Sequence, residues 1–197
     1  NRGGTWYYLT GSGAMAEGWG NIGGTWYYFQ PGNGAMQVGW VKDGNIWYYM
    51  NGSGAMQRGW LNRGGTWYYL TGSGAMVEGW AYIGSSWYYM VPGNGAMVGA
   101  GWHLIDNSWY YFLDSGYMAT GWQYINDTWY YFSASGAMQT GWQFVGGKWY
   151  YMDASGAMQT GWQTINDTTY FLNSSGQMVT GWFKYENTWY YFTSSGS

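Results

Sequence analysis

The sequence predicts an all-β protein built as an array of about nine to ten β-hairpins, without helices. Three observations carry this prediction: a period of about 20 residues, a strand-forming aromatic motif in each period, and glycine in every window of helical length. A fixed period of this length is typical of repeat proteins, whose units bury their apolar faces only by stacking on their neighbours. Residues 1–197 are therefore predicted to form a single repeat array.

Two tryptophan motifs mark the repeat. Trp-Tyr-Tyr recurs every 20 to 22 residues, and a degenerate Thr-Tyr-Phe begins at Thr169. Each Gly-Trp motif places its tryptophan seven positions before the next of these, and the two motifs together account for all 18 tryptophans. The first set starts at Trp6, Trp26, Trp47, Trp67, Trp87, Trp109, Trp129, Trp149 and Trp189, and the second ends at Trp19, Trp40, Trp60, Trp80, Trp102, Trp122, Trp142, Trp162 and Trp182.

Each repeat is predicted to be one hairpin followed by a linker. Trp47-Tyr-Tyr-Met50 is a run of strong strand formers, and Asp43-Gly44, just before it, is a pair suited to a tight turn. The distance from Gly-Trp to Trp-Tyr-Tyr never changes, whereas the other half of the repeat varies and reaches 15 residues between Trp87 and Trp102. Loops tolerate insertions and hairpins do not, so the constant half is the hairpin.

Strand parity brings aromatic rings together on one face of each hairpin. Trp26 and Tyr28 share a face, Tyr27 and Phe29 share the other, and Trp19 across the hairpin joins the first pair. Three converging rings are a receptor for a quaternary ammonium ion, worth about 2–5 kcal/mol and hence a millimolar dissociation constant. Several such weak sites on one array could hold a polymer that carries many ligands.

Composition excludes several other functions. With six Lys plus Arg and a net charge of −3, no basic surface is expected to bind nucleic acid. The absence of cysteine and the single His103 leave no metal, cofactor or thiol site to predict, and no apolar run is long enough for membrane insertion. The nine acidic residues fall mostly in predicted turns and form no recurring pair, so no catalytic residues are expected.

The pattern Gly-Trp, six residues, Trp-Tyr-Tyr-(Phe/Met/Leu), then Gly-Ala-Met and the next Gly-Trp resembles the choline-binding repeats of Gram-positive surface proteins and murein hydrolases. The resemblance covers essentially the whole chain, and residues 141–162 follow it nearly throughout. It implies a left-handed solenoid of hairpins, with choline held between consecutive hairpins. Each site of that family uses two tryptophans of one hairpin, a tyrosine of the next, and a methionine.

Carried onto this chain, the resemblance implies seven choline sites, each with two tryptophans, a methionine and a ring of the following hairpin. They are Trp19, Trp26, Met36, Tyr49; Trp40, Trp47, Met56, Tyr69; Trp60, Trp67, Met76, Tyr89; Trp80, Trp87, Met97, Tyr111; Trp102, Trp109, Met118, Tyr131; Trp122, Trp129, Met138, Tyr151; and Trp142, Trp149, Met158, Phe171. The second tyrosine of each motif is chosen by parity, and its neighbour stays open. Trp162 faces Thr169 and is expected not to bind, and the last pair, Trp182 and Trp189, has no following hairpin.

The function implied is a non-catalytic, secreted, cell-surface module that anchors to phosphocholine on cell-wall or membrane-linked teichoic acids. The alternatives are a repeat that binds glucan or another cell-surface carbohydrate, and a purely structural stalk. Because Trp6 lacks a Gly-Trp partner, the chain begins within a repeat, and an attached murein hydrolase domain is compatible with this interpretation. The open aromatic faces of the terminal hairpins could also pair two copies of the chain.

Overall fold

A computed structural model describes all residues, 1–197, and contains eighteen β-strands and no helix, hence none that could cross a membrane. The strands pair as nine antiparallel hairpins, numbered 1 to 9 along the chain, and each is a separate two-stranded sheet. The strands are β1 Gly18–Ile22, β2 Thr25–Phe29, β3 Gly39–Asp43, β4 Ile46–Met50, β5 Gly59–Arg63, β6 Thr66–Leu70, β7 Gly79–Ile83, β8 Ser86–Met90, β9 Gly101–Ile105, β10 Ser108–Phe112, β11 Gly121–Ile125, β12 Thr128–Phe132, β13 Gly141–Val145, β14 Lys148–Met152, β15 Gly161–Ile165, β16 Thr168–Leu172, β17 Gly181–Tyr185 and β18 Thr188–Phe192. The predicted all-β array of hairpins is confirmed.

Two-residue turns close the hairpins. In hairpin 5 both turn residues, Asp106 and Asn107, have positive φ angles of 48° and 62°. This is the backbone of a type I′ turn, whose twist matches that of the flanking strands and which Asn, Asp and Gly adopt most readily. In hairpin 2 the turn begins at Gly44, so Asp43 is the last residue of β3 instead of a turn residue as predicted.

The register places the tryptophans of each hairpin on one face, as parity predicts. In hairpin 1, Trp19 lies opposite Tyr28, and Trp26 lies opposite Asn21. The ring of Trp19 lies 6.4 Å from that of Trp26 and 5.1 Å from that of Tyr28, both edge to face. We call this side of a hairpin its tryptophan face and the other its core face.

The core is formed by the residue that follows each Trp-Tyr-Tyr motif or its Thr-Tyr-Phe counterpart. These side chains are 0–4% exposed in every hairpin: Phe29, Met50, Leu70, Met90, Phe112, Phe132, Met152, Leu172 and Phe192. A Phe, Met or Leu side chain at this position fills the narrow space inside the stack, where each contributes the burial of a full apolar side chain, about 2 kcal/mol. The core therefore fixes the hairpins against one another at regular intervals.

The chain divides into two compact units, Asn1–Val98 and Gly99–Ser197. The boundary falls in the long linker between Trp87 and Trp102. Within each unit, successive hairpins are joined by backbone hydrogen bonds from linkers, such as the N–H of Met56 to the carbonyl of Trp26 at 2.8 Å. That residues 1–197 behave as one array stays a prediction.

Candidate functional site: aromatic cages between successive hairpins

A cavity of about 430 Å³ opens between hairpins 6 and 7. Two tryptophans of hairpin 6, Trp122 and Trp129, form two of its walls. Tyr150 of hairpin 7 and Met158 of the linker that follows it complete the apolar lining. Ser174 and Ser175, in the next linker, form the rim, so three successive repeats build one cavity.

The rings of this cavity are arranged as a box. Those of Trp122 and Trp129 lie 6.2 Å apart at an interplanar angle of 86°, and Tyr150 lies 4.8 Å from Trp122 at 65°. The N–H of Met158 donates to the carbonyl of Trp129 at 2.8 Å, which places the methionine beside the tryptophan. Perpendicular rings present their electron-rich faces toward the space between them, where a cation is attracted.

Three further cavities have the same lining of two tryptophans, one tyrosine and one methionine. Each is named here by its first tryptophan. The Trp102 cage consists of Trp102, Trp109, Tyr130 and Met138; the Trp122 cage is the one described above; the Trp142 cage consists of Trp142, Trp149, Tyr170 and Met178; and the Trp40 cage consists of Trp40, Trp47, Tyr68 and Met76. The volumes of the Trp102, Trp122, Trp142 and Trp40 cages are about 430, 430, 330 and 250 Å³, respectively.

Two more groups in the first unit repeat these ring contacts. In the Trp19 cage, Trp19 lies 4.6 Å from Tyr48, and the N–H of Met56 bonds to the carbonyl of Trp26. The Trp60 cage has the same form: Trp60 lies 6.2 Å from Trp67 and 4.8 Å from Tyr88, and the N–H of Met97 bonds to the carbonyl of Trp67.

In the six cages described, the ring that closes the cavity is not the predicted second ring of the motif but its neighbour, which the sequence left open. Tyr151 lies 5.2 Å from Trp142 of its own hairpin, whereas Tyr150 contacts Trp122 of the preceding one. The same exchange holds for Tyr49, Tyr69, Tyr89, Tyr131 and Phe171, which contact Trp40, Trp60, Trp80, Trp122 and Trp162 of their own hairpins. The physical reason is parity: the second ring shares the tryptophan face, so only the first can reach the hairpin before.

The methionines predicted for the cages are each one linker too early. Met138, predicted to join Trp122 and Trp129, instead bonds through its N–H to Trp109 and lines the Trp102 cage. Correspondingly, Met36, Met56, Met76 and Met158 bond to Trp6, Trp26, Trp47 and Trp129. Met97 bonds to Trp67, and Met118, predicted for the Trp102 cage, is replaced there by Met138. The reason is that the linker after a hairpin folds back onto the hairpin before it.

The predicted groups at Trp80 and at Trp162 differ from the six cages above. The combination of Trp80 and Trp87 with Tyr111 takes residues from both units and stays a prediction. At Trp162, Tyr190 provides a ring at 4.9 Å, but the second tryptophan is replaced by Thr169, whose hydroxyl lies 3.4 Å from that of Thr164. This cage therefore lacks one wall, as the sequence indicates.

Residues beside the cages differ in charge from repeat to repeat. The residue opposite the second tryptophan is aromatic in hairpins 6 and 7, where Tyr124 and Phe144 lie 5.1 Å from Trp129 and Trp149. In hairpin 2 it is Lys42, whose ammonium nitrogen lies 5.6 Å from the centroid of the Trp47 ring. These flanking residues are not among those predicted from the sequence, although their fixed place two positions after the Gly-Trp tryptophan is a signal that could identify them.

The last residue of a hairpin's first strand contacts the tryptophan face of the hairpin before. Asp43 accepts a hydrogen bond of 2.8 Å from the indole N–H of Trp19, and the guanidinium of Arg63 lies 5.1 Å over the ring of Tyr49. Burial, and secondarily the charge of Asp43, raise the pKa of Tyr28, which also contacts Trp19. A carboxylate thus lies at the edge of the Trp19 cage.

The linker turns that form the cage rims are held by side-chain oxygens. Asp153 accepts hydrogen bonds from the N–H groups of Ser155 and Ala157, and Asn51 and Asn173 do the same in their linkers. Burial alone would raise the pKa of Asp153, but the bonds from Ser155 and Ala157 outweigh it and lower the pKa. These turns position rim residues such as Ser155 in the Trp102 cage.

Polar chemistry is otherwise sparse. No group of three or more His, Cys, Asp or Glu side chains is arranged to hold a metal ion. The second tryptophans of five cages are 37–44% exposed: Trp26, Trp67, Trp109, Trp129 and Trp149. What the cages offer is a set of accessible aromatic faces with a thioether beside them.

Comparison with known proteins agrees with this architecture. The family model of the choline-binding repeat matches residues 16–59, 38–77, 57–102, 99–139, 119–160 and 159–197, and that of a cell wall binding repeat matches residues 3–15. The chain therefore belongs to the choline-binding repeat family and is a cell-wall-associated, cell-surface protein. A search of the curated proteins finds no match.

Solved structures of pneumococcal proteins are similar along nearly the whole chain. CbpJ from Streptococcus pneumoniae TIGR4 is 32% identical over 99% of this chain and 91% of its own, with a TM-score of 0.72. Choline binding protein F from Streptococcus pneumoniae is 30% identical over 100% and 93%, with a TM-score of 0.67. The choline-binding domain of CbpL from the same species is 29% identical over 92% and 96%, with a TM-score of 0.63.

Proposed function

We propose that this chain is a non-catalytic anchoring module that binds choline in the cages between successive hairpins. The observation that carries the proposal is the repetition of one lining: two tryptophans, a tyrosine and a methionine surround a cavity in four places. The matches to the family models run from residue 3 to residue 197.

The chemistry of the cages suits a trimethylammonium group. Such a cation carries its charge over apolar methyl groups, so it is weakly hydrated and cannot donate a strong hydrogen bond. Aromatic faces attract the charge, and the thioether of Met158 gives the methyl groups an apolar contact. With about 0.5–2 kcal/mol from each of three rings, one cage binds with a dissociation constant on the order of 1 mM.

The binding residues that we propose differ from those predicted in the tyrosine and the methionine. Six cages are complete within a unit. They are Trp19, Trp26, Tyr48, Met56; Trp40, Trp47, Tyr68, Met76; Trp60, Trp67, Tyr88, Met97; Trp102, Trp109, Tyr130, Met138; Trp122, Trp129, Tyr150, Met158; and Trp142, Trp149, Tyr170, Met178.

We propose that the protein is secreted and that its ligand on the cell surface is the phosphocholine of teichoic acids. A polymer with many choline groups engages several millimolar cages at once, and effective concentration then raises the overall affinity by orders of magnitude. The carbohydrate alternative is not favoured, because the repeats match the choline-binding family. Free choline should compete with the polymer.

We also propose that hairpin 9 pairs with a second copy of the chain. Trp182, Trp189 and Tyr191 are 70%, 61% and 62% exposed, more than the corresponding residues of other hairpins. A contiguous exposed aromatic surface of this kind favours association. Analytical ultracentrifugation should show a dimer that Trp182→Asp dissociates, and a monomer at all concentrations would contradict this.

The binding proposal can be tested cage by cage. Labelling the methionine methyl groups with ¹³C gives a separate NMR signal for each methionine, and each cage contains one of them. Choline chloride should shift the Met158 and Met138 signals at millimolar concentration, whereas ammonium chloride and dextran should not. In Trp129→Ala the Met158 response should be lost and the Met138 response kept, with Trp189→Ala as the control. If no methionine signal responds to choline, the proposed function is wrong.

A further inference from the structure

We infer that Lys42, Asp43 and Arg63 set the affinities of two adjacent cages for a cation in opposite directions, stronger at Trp19 and weaker at Trp40. The inference rests on the proposed function, since it concerns how tightly the same cages hold choline. It starts from one strand: Lys42 and Asp43 are neighbours in β3, so their side chains leave opposite faces of hairpin 2. Each charge therefore reaches a different cage.

Asp43 adds a negative charge to the Trp19 cage. Its carboxylate accepts the 2.8 Å hydrogen bond from the indole N–H of Trp19, the ring that lies 4.6 Å from Tyr48. A carboxylate bound at the indole edge makes the ring face more negative and attracts the cation directly. Both effects strengthen the hold of the Trp19 cage on a quaternary ammonium ion.

Two positive charges lie on rings of the tryptophan face of hairpin 2, one of them a ring of the Trp40 cage. The ammonium of Lys42 lies 5.6 Å from the Trp47 ring, and the guanidinium of Arg63 lies 5.1 Å over Tyr49, which in turn lies 5.1 Å from Trp40. One carboxylate, that of Glu78, lies at the rim, where it accepts a hydrogen bond of 2.8 Å from the N–H of Gly93. Two cations against one carboxylate leave an excess of one positive charge.

The Trp40 cage also differs in shape from the Trp122 cage. Its volume is about 250 Å³, against about 430 Å³ for the Trp122 cage. Gly93 and Asn94 of the longer Pro-Gly-Asn-Gly linker form its rim, where Ser174 and Ser175 stand in the Trp122 cage. The Trp40 cage is thus both smaller and more positive than the Trp122 cage.

The neighbouring Trp60 cage supplies an internal reference with no charge at these two strand positions. Asn62 takes the place of Lys42 there, and Ile83 takes the place of Asp43 and Arg63. In the other complete hairpins the place of Asp43 is taken by Ile, Val or Tyr. Charge at these two positions is therefore confined to the cages at Trp19 and Trp40, apart from Lys184 of the terminal hairpin.

The size of the effect follows from Coulomb's law. Two unit charges about 7 Å apart in a water-like dielectric change an affinity about threefold. The Trp19 cage should therefore half-saturate at a choline concentration about threefold below that of the Trp60 cage. The Trp40 cage, with its excess positive charge, should half-saturate at least about threefold above it.

The experiment is a choline chloride titration of the full chain with ¹³C-labelled methionine methyl groups. Met56, Met97 and Met76 report the Trp19, Trp60 and Trp40 cages. The expected order of half-saturation is Met56 first, Met97 second and Met76 last. At about 1 M sodium chloride, where the screening length is about 3 Å, the three midpoints should approach one another.

Single substitutions separate the charges from the shape of the cages. Asp43→Asn should raise the Met56 midpoint about threefold and leave Met97 unchanged, while Lys42→Gln should lower that of Met76. Lys184→Gln is the matched control, because it removes the same charge from the same position in hairpin 9. It should leave the midpoints of Met56, Met97 and Met76 unchanged. Unchanged signals of the other methionines would show that each variant is folded.

Two outcomes would overturn the inference while leaving the proposed function intact. One is equal midpoints for Met56, Met97 and Met76 in the unaltered chain. The other is a midpoint order that persists unchanged in both Asp43→Asn and Lys42→Gln. A chain in which none of these signals responds to choline would instead contradict the proposed function itself.

Discussion

The N–H of Met158 donates a hydrogen bond of 2.8 Å to the carbonyl of Trp129, 29 positions earlier in the chain. This single bond joins the linker after hairpin 7 to the second strand of hairpin 6, and equivalent bonds recur within both units. It fixes the methionine beside the tryptophan while Tyr150 approaches from the core face of hairpin 7. Cage geometry is thus a consequence of how the backbone stacks.

The first prediction distinguishes the two tyrosines of one motif. Tyr150→Leu should weaken choline binding at the Trp122 cage about tenfold, because it removes one ring worth about 0.5–2 kcal/mol. The Met158 methyl signal in a choline titration measures this, and the Met138 signal of the Trp102 cage should be unaffected. Tyr151→Phe is the control, since it keeps the ring against Trp142. Equal losses in both variants would contradict the assignment.

The second prediction concerns close packing at a linker glycine. Gly176 has a φ of +79°, and a Cβ there would overlap the side chain of Met158. Gly176→Ala should destabilise the second unit by about 1–3 kcal/mol, from backbone strain and the displacement of the methionine, and should also shift the Met158 methyl signal.

A matched glycine separates these two causes. Gly161 has a similar φ of +73°, but a Cβ added to it would meet nothing within 4 Å, so Gly161→Ala should show the strain alone. Urea denaturation gives both stabilities. If the two variants lose the same stability and the Met158 signal stays in place, the close approach has no energetic consequence.

Strand parity is sufficient to predict which residues of a hairpin share a face, and fails at the step between hairpins. Trp122, Trp129 and Tyr131 do share the tryptophan face. A stacked hairpin presents one face to the next hairpin and the other face to the preceding hairpin. The ring that closes a preceding cage must therefore come from the core face, which identifies Tyr150 and not Tyr151.

Other features depend on three-dimensional paths that the repeat pattern does not contain. The methionine of a cage is set by where the linker folds back, and the motif spacing is equally compatible with Met138 and Met158. The contact between Asp43 and Trp19 also joins different hairpins, 24 positions apart. As a predicted turn residue, Asp43 has no expected partner, because a turn assignment says nothing about the neighbouring hairpin.

The third prediction is a pH dependence of stability from Asp153. Hydrogen bonds from Ser155 and Ala157 lower the pKa of its carboxyl below 3.8, so the folded state favours the ionised form. The resulting stabilisation is fully present above the ordinary pKa of about 4 and is lost as the pH falls through the lowered pKa. Asp153→Ala should cost about 1 kcal/mol at neutral pH and less at about pH 3.

Asparagine provides the control for this titration. Asn51 and Asn173 accept the same backbone hydrogen bonds in their own linkers, so Asp153→Asn should keep most of the stability at neutral pH. It should also lose the acid-dependent part, because an amide does not titrate. Chemical denaturation of the unaltered chain, Asp153→Ala and Asp153→Asn, at neutral pH and at about pH 3, measures these stabilities. The same change of stability with pH in all three proteins would refute the role of Asp153.

The fourth prediction is a gain of function at the incomplete cage of Trp162. Thr169→Trp places an indole where Trp149 stands in hairpin 7, and Tyr190 already lies 4.9 Å from Trp162. The three rings would then surround one additional cation site.

Crystals soaked in choline should show one more bound molecule in this variant, between Trp162 and the introduced tryptophan. Thr164→Trp is the matched control: it adds the same side chain to the same hairpin, but at the place of Phe144, beside the cage instead of within it. Choline bound near Trp162 in the unaltered chain, or absent from Thr169→Trp at saturating concentration, would contradict a three-ring requirement. Binding in Thr169→Trp alone would show that the second tryptophan is the wall that hairpin 8 lacks.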